Sequence, residues 1–280
     1  MKKNLLLIAA VATSIAASAQ TTWLTGATGS NADAALEVFN SDAGKAATVE
    51  SADYTANAVE VGAGLTIANA NNNAAFGASD SKYVPYFQPT IAEGEGKTFD
   101  AADQTAYLAF YEEATEGGNL DVLNLSSIEF RAARIGTDAV RMKAFLQVLD
   151  ASGDVEWEKD LITADNASSV LTNGVYTVQG TDPETGGATG FDGFQPARNK
   201  DNQTFADEAA TAQTNNWYSQ VKVSVPSDFP EDAWNAQLKV YIYGVHNNKQ
   251  AVVYNVKFNH GDASAVAGIA EAKAEAAAPV

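Results

Sequence analysis

The chain of 280 residues carries 35 acidic against 17 basic side chains and contains no cysteine. Its net charge of −18 opposes binding to nucleic acid and to anionic lipid. Without cysteine there can be no disulfide, zinc–thiolate site or cysteine nucleophile. At this length the chain can still bury a large hydrophobic core.

The first residues are typical of a secretory signal peptide. Two lysines precede an apolar run that ends in the small residues Ala17-Ser18-Ala19, as at a signal peptidase site. The apolar run is short for a membrane span, and no later stretch is apolar enough to cross a bilayer. We therefore predict a signal peptide over residues 1–19 and a mature chain starting at Gln20 with a net charge near −20. Such a protein is secreted and lies outside the cell, at the cell surface or in the periplasm.

The clearest pattern is an alternation of apolar and polar residues in two neighbouring runs. A period of two residues is typical of a half-buried strand. The predicted inward residues are Ile128, Phe130 and Ala132 in the first run, and Val140, Met142, Ala144, Leu146 and Val148 in the second. Gly136-Thr137-Asp138 between the runs predicts a hairpin or a short connection. A turn at 150–153 then leads to a third strand near Trp157.

Further strands are predicted before and after these runs. The strand predictions cover 34–39, where one helical turn is the alternative, two short strands within 59–67, and 106–111, 170–178, 218–225, 236–244 and 252–258. Asn247-Asn248 between the last two predicts an antiparallel pair. The last strand would place Val252, Tyr254, Val256 and Phe258 on one face. A long loop at 180–216, with a short helix at 206–212, precedes the strand at 218–225.

The strand pattern predicts the fold class and the domain limits. About ten strands without a long amphipathic helix or an internal repeat indicate an all-β, antiparallel β-sandwich or jelly roll. We expect one domain over residues 20–261. Residues 262–280 are small and charged, which is typical of a flexible C-terminal tail or linker.

The sequence lacks the motifs that are typical of most kinds of enzyme active site. His246 and His260 are the two histidines, and neither has metal-ligand spacing. The G-x-S-x-G elbow and the glycine-rich phosphate loops are absent. Glycoside hydrolysis needs two opposed carboxylates, but among 35 acidic residues no pair stands out from solvated surface charge. We therefore expect a non-catalytic protein that needs no cofactor.

Two polar stretches allow both a structural and a functional interpretation. Oxygen-bearing residues two positions apart could bind a structural calcium ion, and these metal candidates are Asp150, Ser152, Asp154 and Glu156. A simple turn explains the same stretch, and Gly153 departs from the EF-hand pattern. Likewise Arg134 and Asp138 could hydrogen-bond a ligand. We favour the structural alternative, in which they pair with each other around a turn at Gly136.

Exposed aromatic side chains are the remaining binding candidates, because flat rings stack on the apolar faces of sugars. The selected residues are Trp217, Tyr218 and Trp234, with Trp157 and the cluster Tyr83, Tyr86 and Phe87 as further candidates. Tryptophans in a sandwich are mostly core residues, so we expect one or two of the four to be exposed. Trp217 follows the long loop, where its ring could stand at the rim of the sandwich.

The middle of the chain resembles a β-sandwich module of secreted bacterial proteins that are often associated with carbohydrate. The residues that carry the resemblance are Tyr107, Phe110, Ile128, Phe130, Arg134, Gly136, Thr137 and Asp138. The resemblance implies a jelly-roll fold, sugar binding and the structural calcium that such modules often carry. Residues 265–280 look like the linker that precedes a type IX sorting segment, and since the chain stops there we expect that segment to be absent or truncated.

Three functions are compatible with these observations. The first is a secreted, non-catalytic carbohydrate-binding protein whose partner is a polysaccharide or another glycan. The second is a structural or adhesive cell-surface protein without a small ligand. The third is a glycoside hydrolase or lyase with an unrecognised carboxylate site. Aromatic rings on an exposed sheet face would favour the first, a flat apolar edge the second, and paired carboxylates in a deep cleft the third.

Overall fold

Strands dominate the structure of this chain. The structure is a computed structural model that describes residues 19–24, 27–28, 42–68, 75–76, 82–83, 86–90, 99, 105–118, 120–135, 140–162, 196, 198–199, 219–244 and 250–261. The elements are β1 (Gln20–Trp23), β2 (Ala27–Thr28), α1 (Asp42–Lys45), β3 (Thr48–Val49), β4 (Tyr54–Ala56), β5 (Glu60–Val61), β6 (Leu65–Ala68), β7 (Ala75–Phe76), β8 (Lys82–Tyr83), β9 (Tyr86–Pro89), β10 (Tyr107–Ala114), β11 (Leu125–Ile135), β12 (Val140–Leu149), β13 (Val155–Asp160), β14 (Arg198–Asn199), β15 (Ser219–Ser224), β16 (Asn235–Gly244) and β17 (Gln250–His260). Ten of these strands have four residues or more, which confirms the predicted all-β class.

Two large sheets form a β-sandwich. The front sheet has six strands in the order β13-β12-β16-β10-β4, with β5 also paired to β10. The back sheet has eight strands, with β14, β11, β17, β1 and β3 in order, β15 on β11, and β9 and β6 attached through β17. A small third sheet consists of β2, β8 and β7. All pairings in the two large sheets are antiparallel except β11 with β14.

The hydrophobic core lies between the front and back sheets. Trp23 of β1 shows how the two layers meet, because its ring lies 4.9 Å from Phe258 in the back sheet and 5.8 Å from Phe110 in the front sheet. Its indole nitrogen donates to the backbone carbonyl of Asn57 at 2.8 Å, so this polar atom is paired. The inward residues predicted for the two alternating runs are all buried, which confirms those faces: Ile128, Phe130, Ala132, Val140, Met142, Ala144, Leu146 and Val148.

Strand pairing decides between the alternatives of one prediction and contradicts another. β11 belongs to the back sheet and β12 to the front sheet, so the two strands do not pair as a hairpin, and the predicted alternative of a short connection stands. The predicted pairing of the last two long strands is wrong for the same reason, since β16 lies in the front sheet and β17 in the back sheet. Alternation shows which face of a strand is buried, but it does not show which strand pairs with it.

A β-bulge changes the inward face halfway along β17. Opposite β11, the register steps over an extra residue of β17 between Lys257 and Tyr254, and Asn255 in this step has a φ of +50°. The core therefore receives Val256 and Phe258 as predicted. Before the bulge, however, the core cluster contains Ala251 and Val253 instead of the predicted Val252 and Tyr254, although Val252 is also buried.

The turn that joins β12 to β13 agrees with the prediction. The two strands pair antiparallel as a hairpin. Gly153 has a φ of +86°, a conformation that residues with a side chain rarely adopt. The two strands predicted within 59–67 are also present as β5 and β6.

Several predictions lie outside the described residues. They are the signal peptide before residue 19, the strands at 34–39 and 170–178, the helix at 206–212 and the tail at 262–280. Of the predicted long loop at 180–216, the structure describes Pro196 and the two residues of β14, which pair with the end of β11. Within the described residues, no helix is long and apolar enough to span a membrane.

Candidate binding groove on the front sheet

An open groove of about 520 Å³ lies on the outer face of the front sheet. Its floor follows from the alternation along β10. Leu108 and Phe110 point into the core, whereas Ala109, Tyr111 and Glu113 point outward and line the groove. The floor is thus formed by strand residues, whose positions are fixed by the sheet.

Trp234 stands on one side of this groove. Its side chain is 41% exposed, although the residues before and after it, Ala233 and Asn235, are buried. The carbonyl oxygen of Trp234 accepts a hydrogen bond from the backbone nitrogen of Ala114 at 2.8 Å. The backbone at Trp234 is therefore held by the end of β10 while the indole faces solvent.

The turn at 150–153 also lines the groove. Oδ1 of Asp150 accepts hydrogen bonds from the backbone nitrogens of Ser152 at 2.8 Å and Asp154 at 2.9 Å. This carboxylate therefore closes the turn, as the structural interpretation of the stretch expected. Across the described part of the chain, no three His, Cys, Asp or Glu side chains are grouped to hold a metal ion. The calcium site at Asp150, Ser152, Asp154 and Glu156 remains a prediction.

Strand register places two polar side chains next to each other on the groove floor. Tyr111 of β10 lies opposite Gln237 of β16. The next residue in this row, Gln147 of β12, is buried and is not among the described lining residues. The hydroxyl of Tyr111 donates to Oε2 of Glu113 at 2.7 Å. Burial, reinforced by this hydrogen bond and the charge of Glu113, raises the pKa of Tyr111 above its ordinary value. The phenol therefore stays protonated at neutral pH, and the floor presents both donors and acceptors.

Aromatic rings cover the other part of the same outer face. Phe99 packs on three outward-facing rings of β12 and β16, with centroid distances of 5.0 Å to Tyr241 and 5.5 Å to both Phe145 and Tyr243. This part of the face is filled by the protein's own side chains. The open part is the groove beside Trp234.

Lys239 and Tyr107 form the boundary between these two parts. The ammonium nitrogen of Lys239 lies 4.0 Å from the centroid of the Tyr107 ring, within range of a cation–π interaction. The hydroxyl of Tyr107 donates to Oε1 of Glu60 at 2.5 Å, and this hydrogen bond, more than burial, raises the pKa of Tyr107 to about 12. Glu60 itself lines the groove.

The structure brings three of the predicted site residues together. Trp234, Asp150 and Ser152 all line the groove, although they were selected for different reasons. Asp154 and Glu156 follow the turn and are exposed.

The other predicted ligand residues are placed differently. Arg134 is 1% exposed in β11 of the back sheet, which argues against direct contact with a surface ligand and favours its structural interpretation. Asp138, Trp217 and Tyr218 lie outside the described residues, so their predicted roles and the Arg134–Asp138 ion pair stay predictions.

Three of the remaining aromatic candidates are packed against other parts of the protein. Trp157 is half-buried and meets Phe229 edge to face at 5.3 Å, and Tyr86 and Phe87 are buried. The sequence interpretation missed Tyr111 and Gln237 as groove residues. The stretch around Tyr111 is apolar on both faces in the sequence. The only signal that could have identified its outward-facing residues was the alternation of Tyr107, Ala109 and Tyr111.

Comparison with known proteins gives distant structural similarity. No protein-family model matches the sequence, and no curated protein matches it. The chain is similar to the enzymatically active domain of tailspike protein 4 of bacteriophage CBA120, with a TM-score of 0.31 and 8% identity. That match covers 74% of this chain, which spans only 19% of the tailspike chain.

Two other solved structures are similar over most of their own length. A mutant of a carbohydrate-binding module of family 29 has a TM-score of 0.29 and 11% identity, covering 86% of this chain and 93% of that chain. The K3 cleaved adhesin domain of Lys-gingipain from Porphyromonas gingivalis has a TM-score of 0.25 and 13% identity, and the match covers 75% of this chain and 93% of that chain. Similarity at this level identifies neither a family nor a ligand for this chain.

Proposed function

We propose that the mature chain is a secreted, non-catalytic carbohydrate-binding protein and that the groove beside Trp234 holds a glycan. The observation that carries this proposal is the exposed indole of Trp234 next to a polar groove floor. An aromatic ring covers the apolar face of a sugar, while neighbouring donors and acceptors bind its hydroxyls. Tyr111, Glu113 and Gln237 supply such groups within the groove.

The charge of the groove defines the class of glycan that fits. Glu60, Glu113 and Asp150 line it, and no lysine or arginine is among the described lining residues. Together with a chain net charge of −18, these carboxylates repel uronic acids and sulfated sugars. The ligand we propose is an uncharged glycan, and its affinity should depend little on salt because stacking and hydroxyl hydrogen bonds dominate.

The shape of the groove suits a short stretch of a longer chain. Its volume of about 520 Å³ falls within the range of small-molecule sites, and it is open to solvent. Because an open groove does not enclose its ligand, a polysaccharide can extend beyond it.

A glycan array probed with the mature chain tests this proposal. We expect binding to neutral polysaccharides and oligosaccharides, no binding to polyuronic acids, and less than about a twofold change in signal between low and high salt. Binding confined to acidic glycans, or no binding at millimolar ligand, would contradict the proposal and favour the structural or adhesive alternative. Release of sugar from a bound glycan would instead favour the hydrolase alternative.

A further inference from the structure

The side chain of Asn235 replaces a missing pair of backbone contacts at the end of the front sheet. Backbone register between β12 and β16 runs as far as Gln147 opposite Gln237, and the same register continued for two more positions would place Leu149 opposite Asn235. At that position the side-chain amide of Asn235 makes the hydrogen bonds to Leu149 in place of backbone groups. Its Oδ1 accepts from the backbone nitrogen of Leu149 at 2.9 Å, and its Nδ2 donates to the carbonyl oxygen of Leu149 at 2.7 Å.

This one amide connects two segments that line the groove. Leu149 lines the groove and directly precedes Asp150 and the turn at 150–153. Asn235 directly follows Trp234, which also lines the groove. Since Asn235 is completely buried, its hydrogen bonds are shielded from water and fix the distance between the two segments.

Other backbone contacts hold the segment before Asn235 from a second direction. The carbonyl oxygen of Ala233 accepts from the backbone nitrogen of Leu123 at 2.7 Å, and that of Trp234 accepts from Ala114 at 2.8 Å. These two hydrogen bonds hold the segment before Asn235 against Leu123 and against the end of β10. The Asn235 amide is the contact that ties it to the turn.

We infer that Asn235 is a positioning residue that holds the Trp234 ring and the turn at 150–153 at the separation the ligand requires. This inference rests on the proposed function for its effect on binding, but its effect on Trp234 does not depend on any ligand. A site that is preorganised in this way loses less entropy when it binds, so loosening it weakens affinity without removing a contact to the ligand.

The test combines a ligand-free spectrum with a titration. Protein labelled with 5-fluorotryptophan gives a ¹⁹F NMR signal for Trp234, which is assigned by its loss in Trp234→Phe. In Asn235→Ala we expect this signal to shift and broaden, while the signals of Trp23 and Trp157 stay in place. The core change Ile128→Val in the back sheet serves as the control and should leave the Trp234 signal unchanged.

The titration uses the neutral oligosaccharides cellohexaose, xylohexaose and mannohexaose. For whichever of them binds, Asn235→Ala should raise Kd about tenfold or more at unchanged stoichiometry, whereas Ile128→Val should leave Kd unchanged. If Asn235→Ala does not fold, Asn235→Asp keeps the side-chain size. Its protonated carboxyl at acid pH can donate to the Leu149 carbonyl, so the Trp234 signal should return toward its wild-type position on acidification.

The outcomes separate the two proposals. An unchanged Trp234 signal in the Asn235 variant overturns the positioning role, whether or not any oligosaccharide binds. A displaced signal together with an unchanged Kd shows that the separation does not matter for the ligand and also overturns the inference. A displaced signal in a protein that binds none of the three probes supports the positioning of Trp234 and counts against the proposed function.

Discussion

Glu112 and His260 face each other between the two sheets, with Nε2 of His260 3.1 Å from Oε2 of Glu112 and neither side chain exposed. Glu112 comes from β10 of the front sheet and His260 ends β17 of the back sheet. Tyr54 stacks on the imidazole at a centroid distance of 3.7 Å, and the hydroxyl of Thr21 donates to the other carboxylate oxygen. The two sheets are thus joined at this end by a buried polar cluster.

Removing one partner of this buried pair should be costly. In His260→Ala the carboxylate of Glu112 stays buried and keeps the Thr21 hydroxyl but loses the imidazole, and we expect a loss of about 3–5 kcal/mol in the free energy of unfolding. Urea denaturation measures it. Lys159 and Asp228 form the matched control, because this 3.0 Å pair is about half exposed, with 48% and 55% of the side chains accessible. Lys159→Ala should cost less than about 1 kcal/mol. Equal losses in the two variants would show that the buried pair has no special role.

The core face of β11 gives a second prediction. Phe130 is fully buried between the sheets, so Phe130→Ala should lower the free energy of unfolding by about 3–5 kcal/mol. Glu129 points to the opposite face, where it forms an ion pair with the half-exposed Lys222 at 2.5 Å. Glu129→Ala should cost about 1 kcal/mol or less. If chemical denaturation gives the same cost for both, the assignment of the two faces is wrong.

The raised pKa of Tyr54 leads to a prediction of how the free energy of unfolding changes at alkaline pH. Burial, with added repulsion from Glu112 and Asp53, raises the pKa of Tyr54 from 10.0 to about 12. Below pH 10 the phenol is protonated in both the folded and the unfolded state. Its contribution to the free energy of unfolding is therefore complete there. As pH rises from 10 to about 12, the unfolded chain ionises first and stability is lost.

The variant Tyr54→Phe isolates this contribution because it cannot ionise. Urea midpoints measured at several pH values should fall less steeply between about pH 10 and pH 12 in the variant than in the wild type. Parallel curves for the two proteins would mean that Tyr54 does not ionise differently in the folded and unfolded states.

The fold could be predicted from the sequence as far as single strands and their buried faces. The alternation of Val140, Met142 and Ala144 identified the inward face of β12, because burial of one face follows directly from the period of two residues. Which strands pair is decided by contacts between distant parts of the chain. The placement of β11 and β12 in different sheets and the bulge at Asn255 therefore left no local signal.

The candidate site was predictable only in part. Trp234 was one of several aromatic residues selected as candidates for stacking on a sugar, and the structure places it beside the groove. The groove itself depends on the register that brings Gln237 beside Tyr111 and on the Asn235 amide that reaches Leu149. These relationships join residues more than eighty positions apart, which no local pattern can reveal.

The most direct measurement is isothermal titration of a neutral oligosaccharide into the wild type, Trp234→Ala and Val155→Ala. Val155 is the matched control, since its side chain is 51% exposed and is not among the groove-lining residues. We expect Trp234→Ala to weaken binding by at least about 2 kcal/mol, as for a central aromatic anchor, with an almost unchanged melting temperature. Val155→Ala should bind like the wild type. Equal affinity of wild type and Trp234→Ala would contradict the account, because the groove beside Trp234 would then not be the binding site.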